Sequence, residues 1–152
     1  MTSRIVIDYE DLAGAAGTSF GPTDWLEITQ QRVDTFADAA DDHQWIHVDP
    51  IRAADGPFGA TIAHGFLTLA LIIPLWAEAF DVRGVTTRVN YGLDRVRFTS
   101  PVRVGARVRL VGHISSVSEV TGGYQISVAA TIEVEGQDRP AVVAEFLARF
   151  SA

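Results

Sequence analysis

The stretch that decides the fold is HGFLTLALIIPLWAEAF, residues 64–80, which lies in the most apolar part of the chain. Its apolar residues cover nearly every side of a helix, and such a helix is normally surrounded by other structure. Pro74 should kink or shorten it, because proline lacks a backbone donor. The unbroken apolar core is well short of the roughly 20 residues that span a bilayer. We therefore expect a buried central helix from His64 to Phe80.

After residue 84 the hydrophobic period changes to two, which is typical of strands. Turn residues such as Tyr91-Gly92 and Gly122-Gly123 separate the segments. The predicted strands are Val85–Asn90, Leu93–Phe98, Arg107–Val120, Tyr124–Glu135 and Ala141–Ser151. Long antiparallel strands and one very apolar helix predict an α+β fold in which the sheet wraps around the helix. Open sheet edges favour a symmetric partner, so we expect a homodimer.

The front of the chain predicts helices and loops. Thr29 suits the N-cap of a helix that ends near Asp41, and Asp49-Pro50 suits the start of a short second helix. A loop should join these two helices. Neither an internal repeat nor a long linker divides the 152 residues, so we expect one domain over residues 1–152.

Composition excludes several kinds of chemistry. The chain has no Cys, which excludes thiol nucleophiles, disulfides and thiolate metal sites. All 12 basic residues are Arg, which excludes lysine Schiff bases. A net charge of −7 argues against nucleic acid as a partner. The acidic N-terminal segment lacks the apolar core of a signal peptide, so we expect a cytoplasmic protein without a membrane partner.

The charge is unevenly distributed along the chain. Residues 1–55 contain 11 acidic residues and 3 Arg, whereas residues 56–152 contain 8 acidic residues and 9 Arg. A local cationic surface on the second part would suit a small phosphorylated ligand, but its arginines would equally suit the solvent face of strands. The arginines concerned are Arg83, Arg88, Arg95, Arg97, Arg103, Arg107 and Arg109.

The densest cluster of reactive side chains is DDHQWIHVD, residues 41–49. Asp42 and His47, five apart in an extended loop, can point into one cavity and hold a water molecule between a carboxylate and an imidazole. Gly65 begins the central helix, where a backbone N–H without an acceptor can bind a carbonyl oxygen that gains negative charge. This set of groups suits the addition of water next to a carbonyl group, or its removal.

Each of these residues also has a structural interpretation. Asp42 would serve as a helix cap, His47 as a satisfied buried histidine, and Gly65 as a site of close helix–sheet packing. His43 and His47 would bind a metal ion with Asp42 or Asp49 only if a helix crossed the pair, and the loop signals oppose this, so we expect no metal. His64 is better suited to bridging loops than to catalysis.

At this point the sequence resembles a known family. The segments DHQWIHVDP (42–50), PFG (57–59) and IAHGFL (62–67) are similar to the MaoC-like dehydratases, the R-specific enoyl-CoA hydratases with the hot-dog fold. VNYGLDRVRF (89–98) and PVRVG (101–105) resemble the strand region of the family. The similarity covers about residues 8–150 and is greatest to the single-domain, NodN-like branch.

The resemblance implies roles for particular residues. Asp42 and His47 match the pair that activates water, and Gly65 matches the glycine whose amide holds the thioester carbonyl. The common motif has Asn-Pro where this chain has Gln44-Trp45, so Gln44 would take over the orienting role of the asparagine. A serine of many members falls near Ile73 here, which removes one polar contact.

Asn90 and Tyr91 are the candidates to replace that contact, with turn residues as the structural alternative. The implied reaction is the reversible hydration of trans-2-enoyl-CoA to (R)-3-hydroxyacyl-CoA without a metal or redox cofactor. The thioester carrier would be CoA or acyl carrier protein, and two subunits would join their sheets with the acyl tunnel near the interface.

Two other functions compete with this one. The first is a hot-dog acyl-CoA thioesterase, but those enzymes usually take a carboxylate from the central helix or a facing strand. Here the acid of that helix is Glu78, at the end far from Gly65. The second is a non-catalytic acyl-thioester-binding protein, whose distinguishing feature would be loss of Asp42 or His47; this chain has both.

Overall fold

The strand-rich half of the chain forms an antiparallel sheet, as its period-two pattern predicts. The computed structural model describes residues 3–152, so Met1 and Thr2 of the predicted domain lie outside the described residues. The strands are β1 (Ile5–Asp8), β2 (Ser19–Phe20), β3 (Leu26–Glu27), β4 (Phe80–Arg83), β5 (Thr87–Phe98), β6 (Arg107–Val120), β7 (Gly123–Val134) and β8 (Val142–Ser151). The helices are α1 (Gln30–Ala40), α2 (Trp45–Val48), α3 (Pro50–Ala54), α4 (Gly65–Ala70) and α5 (Ile72–Ala79), and a 3-10 helix covers Tyr9–Gly14.

The main sheet has the strand order β2-β6-β7-β8-β5, and β3 also pairs with β6. Alternate residues of β7 from Ile126 to Val134 are buried, and β8 alternates in the same way. One face of the sheet therefore packs on the core, to which α4, α5 and the residue between them contribute Leu67, Leu71, Leu75 and Trp76. This is the α+β arrangement predicted from the sequence.

The central helix is interrupted, which corrects the prediction of one long helix from His64 to Phe80. α4 ends at Ala70 and α5 begins at Ile72. In an unbroken helix the N–H of residue 74 would bond the Ala70 carbonyl, and Pro74 has no N–H. The break moves Pro74 into the first turn of α5, where no such bond is needed. None of the helices within residues 3–152 is long and apolar enough to cross a membrane.

One stripe of the central helix is exposed, although we expected it to be covered on all sides. Phe66, Ala70, Pro74 and Ala77 lie three or four residues apart and are all exposed, and 69% of the surface of Phe66 is accessible. Residues at this spacing share one face of a helix. The sheet of a single chain therefore covers only part of the central helix.

β5 is one continuous strand, so the predicted turn at Tyr91-Gly92 is wrong. The strand pairs with β8 along its whole length, and the register shifts at Tyr91 and again at Asp94. Both shifts are β-bulges, which is a frequent role of glycine and its neighbours inside a strand. β5 forms the edge of the sheet, and it exposes Val89, Leu93 and Phe98.

The two predicted helix starts are confirmed. The Thr29 hydroxyl accepts a hydrogen bond from the Arg32 amide, and α1 ends at Ala40 with Asp41 as the C-cap. The Asp49 carboxylate accepts from the Arg52 amide, and Pro50 is the first residue of α3. The caps Asp41 and Asp49 therefore fix both ends of the segment that carries Asp42 and His47.

The core position of the central helix can be tested through Leu75. Leu75 is 2% exposed and belongs to the core, so Leu75→Ala should lower the free energy of unfolding by about 2–5 kcal/mol. The measurement is urea unfolding followed by circular dichroism. Ile51→Ala is the control, because Ile51 is 87% exposed and should change stability little. Equal effects of the two substitutions would contradict the packing described above.

Candidate active site

The turn after α1 places Asp42 at the start of the site. Asp41 adopts a left-handed conformation with φ 54°, which aspartate tolerates better than most residues. The amides of Asp41 and Asp42 both donate to the Ala37 carbonyl and close the helix. Asp41, not Asp42, is thus the C-cap of α1. The Asp42 carboxylate lies 3.5 Å from the Gln44 amide, at the outer limit of a hydrogen bond.

His47 lies on the short helix α2, where we predicted an extended loop. Two hydrogen bonds join α2 to the segment before α4: the Ile62 amide donates to the Ile46 carbonyl at 3.0 Å, and His47 Nδ1 lies 2.7 Å from the Ile62 carbonyl. The single helical turn brings His47 onto the same side as Asp42. Asp42 and His47 therefore lie close together, as we expected, but a helical turn and not an extended loop brings them there.

The Ile62 carbonyl fixes the tautomer of His47. A carbonyl oxygen can only accept, so Nδ1 carries the hydrogen and the neutral ring leaves Nε2 unprotonated. His47 is 7% exposed. Burial lowers its pKa below the ordinary histidine value, and this outweighs the opposing effect of the Ile62 carbonyl; nearby His64 lowers the pKa further, while Asp42 raises it. At neutral pH the ring can therefore accept a proton at Nε2.

The main chain of His47 is held by residues that the sequence analysis missed. Gln30 Nε2 donates to the His47 carbonyl at 2.8 Å, and the Thr61 hydroxyl donates to Gln30 Oε1 at 2.6 Å. Gln30 lies 17 residues before His47, and Thr61 lies 31 residues after Gln30. Sequence spacing gives no signal for such a contact, since it depends on how α1 packs against α2.

His64 contacts both members of the pair. Its Nε2 lies 2.9 Å from the Asp42 carbonyl and 4.0 Å from Asp42 Oδ2. Its ring stacks on that of His47 with centroids 3.8 Å apart and an interplanar angle of 21°. The prediction that His64 bridges loops is confirmed by the hydrogen bond to Asp42. Its Nδ1 is buried and has no hydrogen-bond partner among the described residues.

Gly65 is the first residue of α4, directly after His64. Its amide lies in the first turn, where a helix offers no acceptor. A Cβ atom at this position would lie 2.8 Å from the Phe98 ring, so close packing is one reason for glycine here. Gly65 therefore packs closely against Phe98, and its amide remains the predicted donor to the substrate.

Of the other predicted site residues, Gln44 lies beside Asp42, whereas Asn90 and Tyr91 lie on β5. The Gln44 side chain is exposed, and the contact of Gln44 with the Asp42 carboxylate is made by its backbone N–H. Asn90 and Tyr91 lie within β5, and the Tyr91 ring has the Arg149 guanidinium 3.5 Å from its centroid. Asn90 lines a largely apolar cavity of about 220 Å³ between the central helix and β5. The interpretation of Asn90 and Tyr91 as turn residues is wrong.

Asp42, His47 and His64 are also the residues that could hold a metal ion. Each offers a ligand atom, and the three atoms lie within 4.8 Å of one another. Two imidazoles and a carboxylate are a donor set suited to zinc. The alternative pair of His43 and His47 is not formed, because His43 Nε2 lies 2.8 Å from Asp38.

The chain is similar in sequence to proteins of one family. Residues 11–138 match the family described as MaoC like domain. 3-Hydroxyacyl-thioester dehydratase Z of Mycobacterium tuberculosis is 54% identical over 143 residues, which are 93% of this chain and 95% of that protein. Nodulation protein N of Rhizobium leguminosarum bv. viciae is 43% identical over 141 residues, which are 90% of this chain and 87% of that protein.

The fold is similar to that of a solved R-hydratase from Pseudomonas aeruginosa in its unliganded form. The TM-score is 0.72 at 22% identity, and the match covers 90% of this chain and 81% of that chain. At this identity the likeness concerns the fold alone. The sheet around a central helix is the hot-dog fold.

The electrostatics of the site can be tested by NMR titration of His47. We expect the pKa of His47 to lie below about 6.5, the ordinary value for histidine, because the ring is buried. Asp42→Asn should lower the pKa further, since the Asp42 charge favours the protonated ring. Asp38→Asn is the control, as Asp38 contacts His43 instead. A rise in the pKa of His47 on Asp42→Asn would contradict the geometry described here.

Proposed function

The chain belongs to the MaoC like domain family, as its motifs imply, and from this premise we propose a specific reaction within the hydratase and dehydratase chemistry of that family. The proposed reaction is the reversible addition of water to a trans-2-enoyl-CoA, which gives an (R)-3-hydroxyacyl-CoA. The observation that carries the proposal is the meeting of the Asp42 carboxylate with a buried, neutral His47. A relative with 54% identity is named as a 3-hydroxyacyl-thioester dehydratase.

Asp42 and His47 are proposed to hold the reacting water. A carboxylate oxygen and the unprotonated Nε2 are both acceptors, so they can receive the two hydrogens of one water molecule. The water oxygen bonds to C3 of the enoyl group while one proton leaves the water for the pair. The pair then returns that proton to C2 and ends with as many protons as it began. Protonation of His47 at acid pH would remove one acceptor, so the rate should fall on the acid side.

Gly65 is proposed to stabilise the thioester oxygen. Addition at C3 pushes negative charge onto the carbonyl oxygen, and an amide in the first turn of a helix can donate to it. The Phe98 ring beside Gly65 would exclude water from this donor and strengthen the hydrogen bond. In the reverse direction, the same donor favours loss of the proton from C2.

The remaining site residues have less direct roles in the proposal. Gln44, exposed beside Asp42, would orient the thioester through its side-chain amide. Asn90 would provide a polar contact in the cavity between the central helix and β5, and Tyr91, the next residue of β5, would bind the substrate through its exposed side chain. The reaction adds water across a double bond without net electron transfer, so it needs no redox cofactor, and the pair and the amide can act without a metal.

The arginines support a phosphorylated thioester carrier, either CoA or acyl carrier protein. Four of the seven arginines form ion pairs: Arg83, Arg88, Arg107 and Arg109 with Asp8, Asp81, Glu135 and Glu133. Arg95, Arg97 and Arg103 are exposed and have no ion pair within residues 3–152. The backbone of Arg103 pairs with Ile62, whose carbonyl holds His47, so Arg103 belongs to a segment next to the proposed catalytic pair.

A homodimer is part of the proposal. The exposed stripe of the central helix and the exposed edge strand β5 lie on neighbouring surfaces, and Phe66 of the helix touches Phe98 of β5. Exposed apolar residues along a sheet edge favour pairing with a second chain. A second copy that adds its own β5 to this edge would extend the sheet and cover the stripe.

The reaction can be tested with crotonyl-CoA by following the loss of the enoyl-thioester absorbance. Asp42→Asn and His47→Ala should each lower the turnover rate by roughly 10²-fold or more, the usual scale for general acid and base groups. Asp38→Asn is the matched control, because Asp38 lies on α1 and contacts His43. Near-normal turnover by a folded Asp42→Asn variant would remove this mechanism. Release of free thiol without hydration would instead favour a thioesterase.

The oligomeric state can be tested by light scattering. We expect a dimer, and Leu93→Asp should shift it toward monomer because an exposed apolar residue of β5 becomes charged. Ile51→Asp is the control, since Ile51 is an exposed apolar residue of α3, which is not part of the sheet. A wild-type monomer that still hydrates crotonyl-CoA would contradict the proposed interface.

A further inference from the structure

The mechanism above gives no role to His64, which is the most deeply buried polar residue of the site. Its exposed fraction is 2%, against 7% for His47. Burial of a polar side chain is unfavourable unless its contacts compensate for the lost water. His64 makes a hydrogen bond to one residue of the proposed catalytic pair and stacks on the other.

The first contact is a hydrogen bond to the main chain of Asp42. Because a carbonyl only accepts, the hydrogen lies on His64 Nε2 and is donated to the Asp42 carbonyl at 2.9 Å. Asp42 directly follows the left-handed residue Asp41, where the chain leaves α1. The hydrogen bond therefore fixes the backbone from which the catalytic carboxylate projects.

The second contact is the stack on His47. A single hydrogen bond through Nδ1 holds His47 at one edge and leaves its ring free to tilt about that bond. The His64 ring, 3.8 Å away and nearly parallel, restricts this tilt. Phe36 packs against His64 with ring centroids 4.9 Å apart, so His64 is itself held in place.

We propose that His64 is a positioning residue that sets the Asp42 carboxylate and the His47 ring relative to each other. The inference rests on the proposed function, because it concerns the same pair. Acid–base catalysis needs both groups within hydrogen-bond reach of one water molecule, and displacements of about 1 Å can lower rates by up to 10²-fold. His64 joins the two groups through one side chain, although 22 residues separate it from Asp42.

Two substitutions separate the two contacts. Gln places its side-chain N–H near the position of Nε2, so His64→Gln keeps the donor to Asp42 and loses the stacked ring. His64→Phe keeps the ring and loses the donor. We expect each variant to lower kcat about tenfold per folded protein and to change KM by less than about twofold. His43→Gln is the control, because His43 is exposed, lies in the same segment and contacts Asp38.

The pH profile distinguishes positioning from a merely structural role. His64 opposes the protonation of His47, whereas Asp42 favours it, so His64→Gln should raise the pKa of His47 and move the acid limb of kcat to higher pH. A structural role would reduce only the amount of folded protein, which urea unfolding measures. Folded variants with kcat within about twofold of wild type and an unmoved acid limb would overturn the inference.

The two proposals fail in different ways. If wild-type protein does not hydrate enoyl-CoA, the proposed function fails, and the NMR signals of Asp42 and His47 still test the positioning without any turnover. Folded His64→Phe, which loses the donor, should shift the Asp42 amide signal, and folded His64→Gln, which loses the stacked ring, should shift the His47 ring signals, whereas His43→Gln should leave the His47 ring signals unchanged. Unshifted signals of Asp42 and His47 in the two His64 variants would overturn the inference.

Discussion

The site depends on the hydrogen bond between His47 Nδ1 and the Ile62 carbonyl. It joins α2, which ends the loop after α1, to the segment that leads into α4. The bond sets the tautomer of the imidazole and, with the Ile46–Ile62 backbone bond, decides how the two halves of the site meet. Buried hydrogen bonds of this kind contribute modestly to net stability but are costly to leave unmade, so they specify one arrangement.

Local signals predicted the parts of the fold that depend on local physics. The caps Thr29 and Asp49, the period-two strands and the effect of Pro74 all concern contacts within a few residues, and the structure confirms them. The one-turn helix at Trp45–Val48 was missed because four residues are too short for a hydrophobic period. The bulge at Tyr91-Gly92 was mistaken for a turn because glycine favours both.

The candidate site was predicted in part for the same reason. Asp42, His47 and Gly65 were found through their residue types and the family motifs, and the structure places Asp42 and His47 together. Gln30, Thr61 and the stacking of His64 were not found, since these contacts depend on how α1, α2 and α4 pack. The parallel pair of β1 and β4 was missed too: Ile5 pairs with Phe80, 75 residues away. Residue type identifies the groups that do chemistry, while tertiary packing selects the groups that hold them.

The irregular shape of β5 has a consequence for recognition between chains. A long exposed edge strand offers unpaired backbone groups to any extended segment and is a hazard for aggregation. The two bulges and the charged side chains of Arg88, Arg95 and Arg97 make this edge a poor match for a straight, apolar strand. A strand can pair with this edge only if its own irregularities fit the bulges and its charges do not directly oppose the arginines. The bulged and charged edge therefore disfavours pairing with unrelated extended segments.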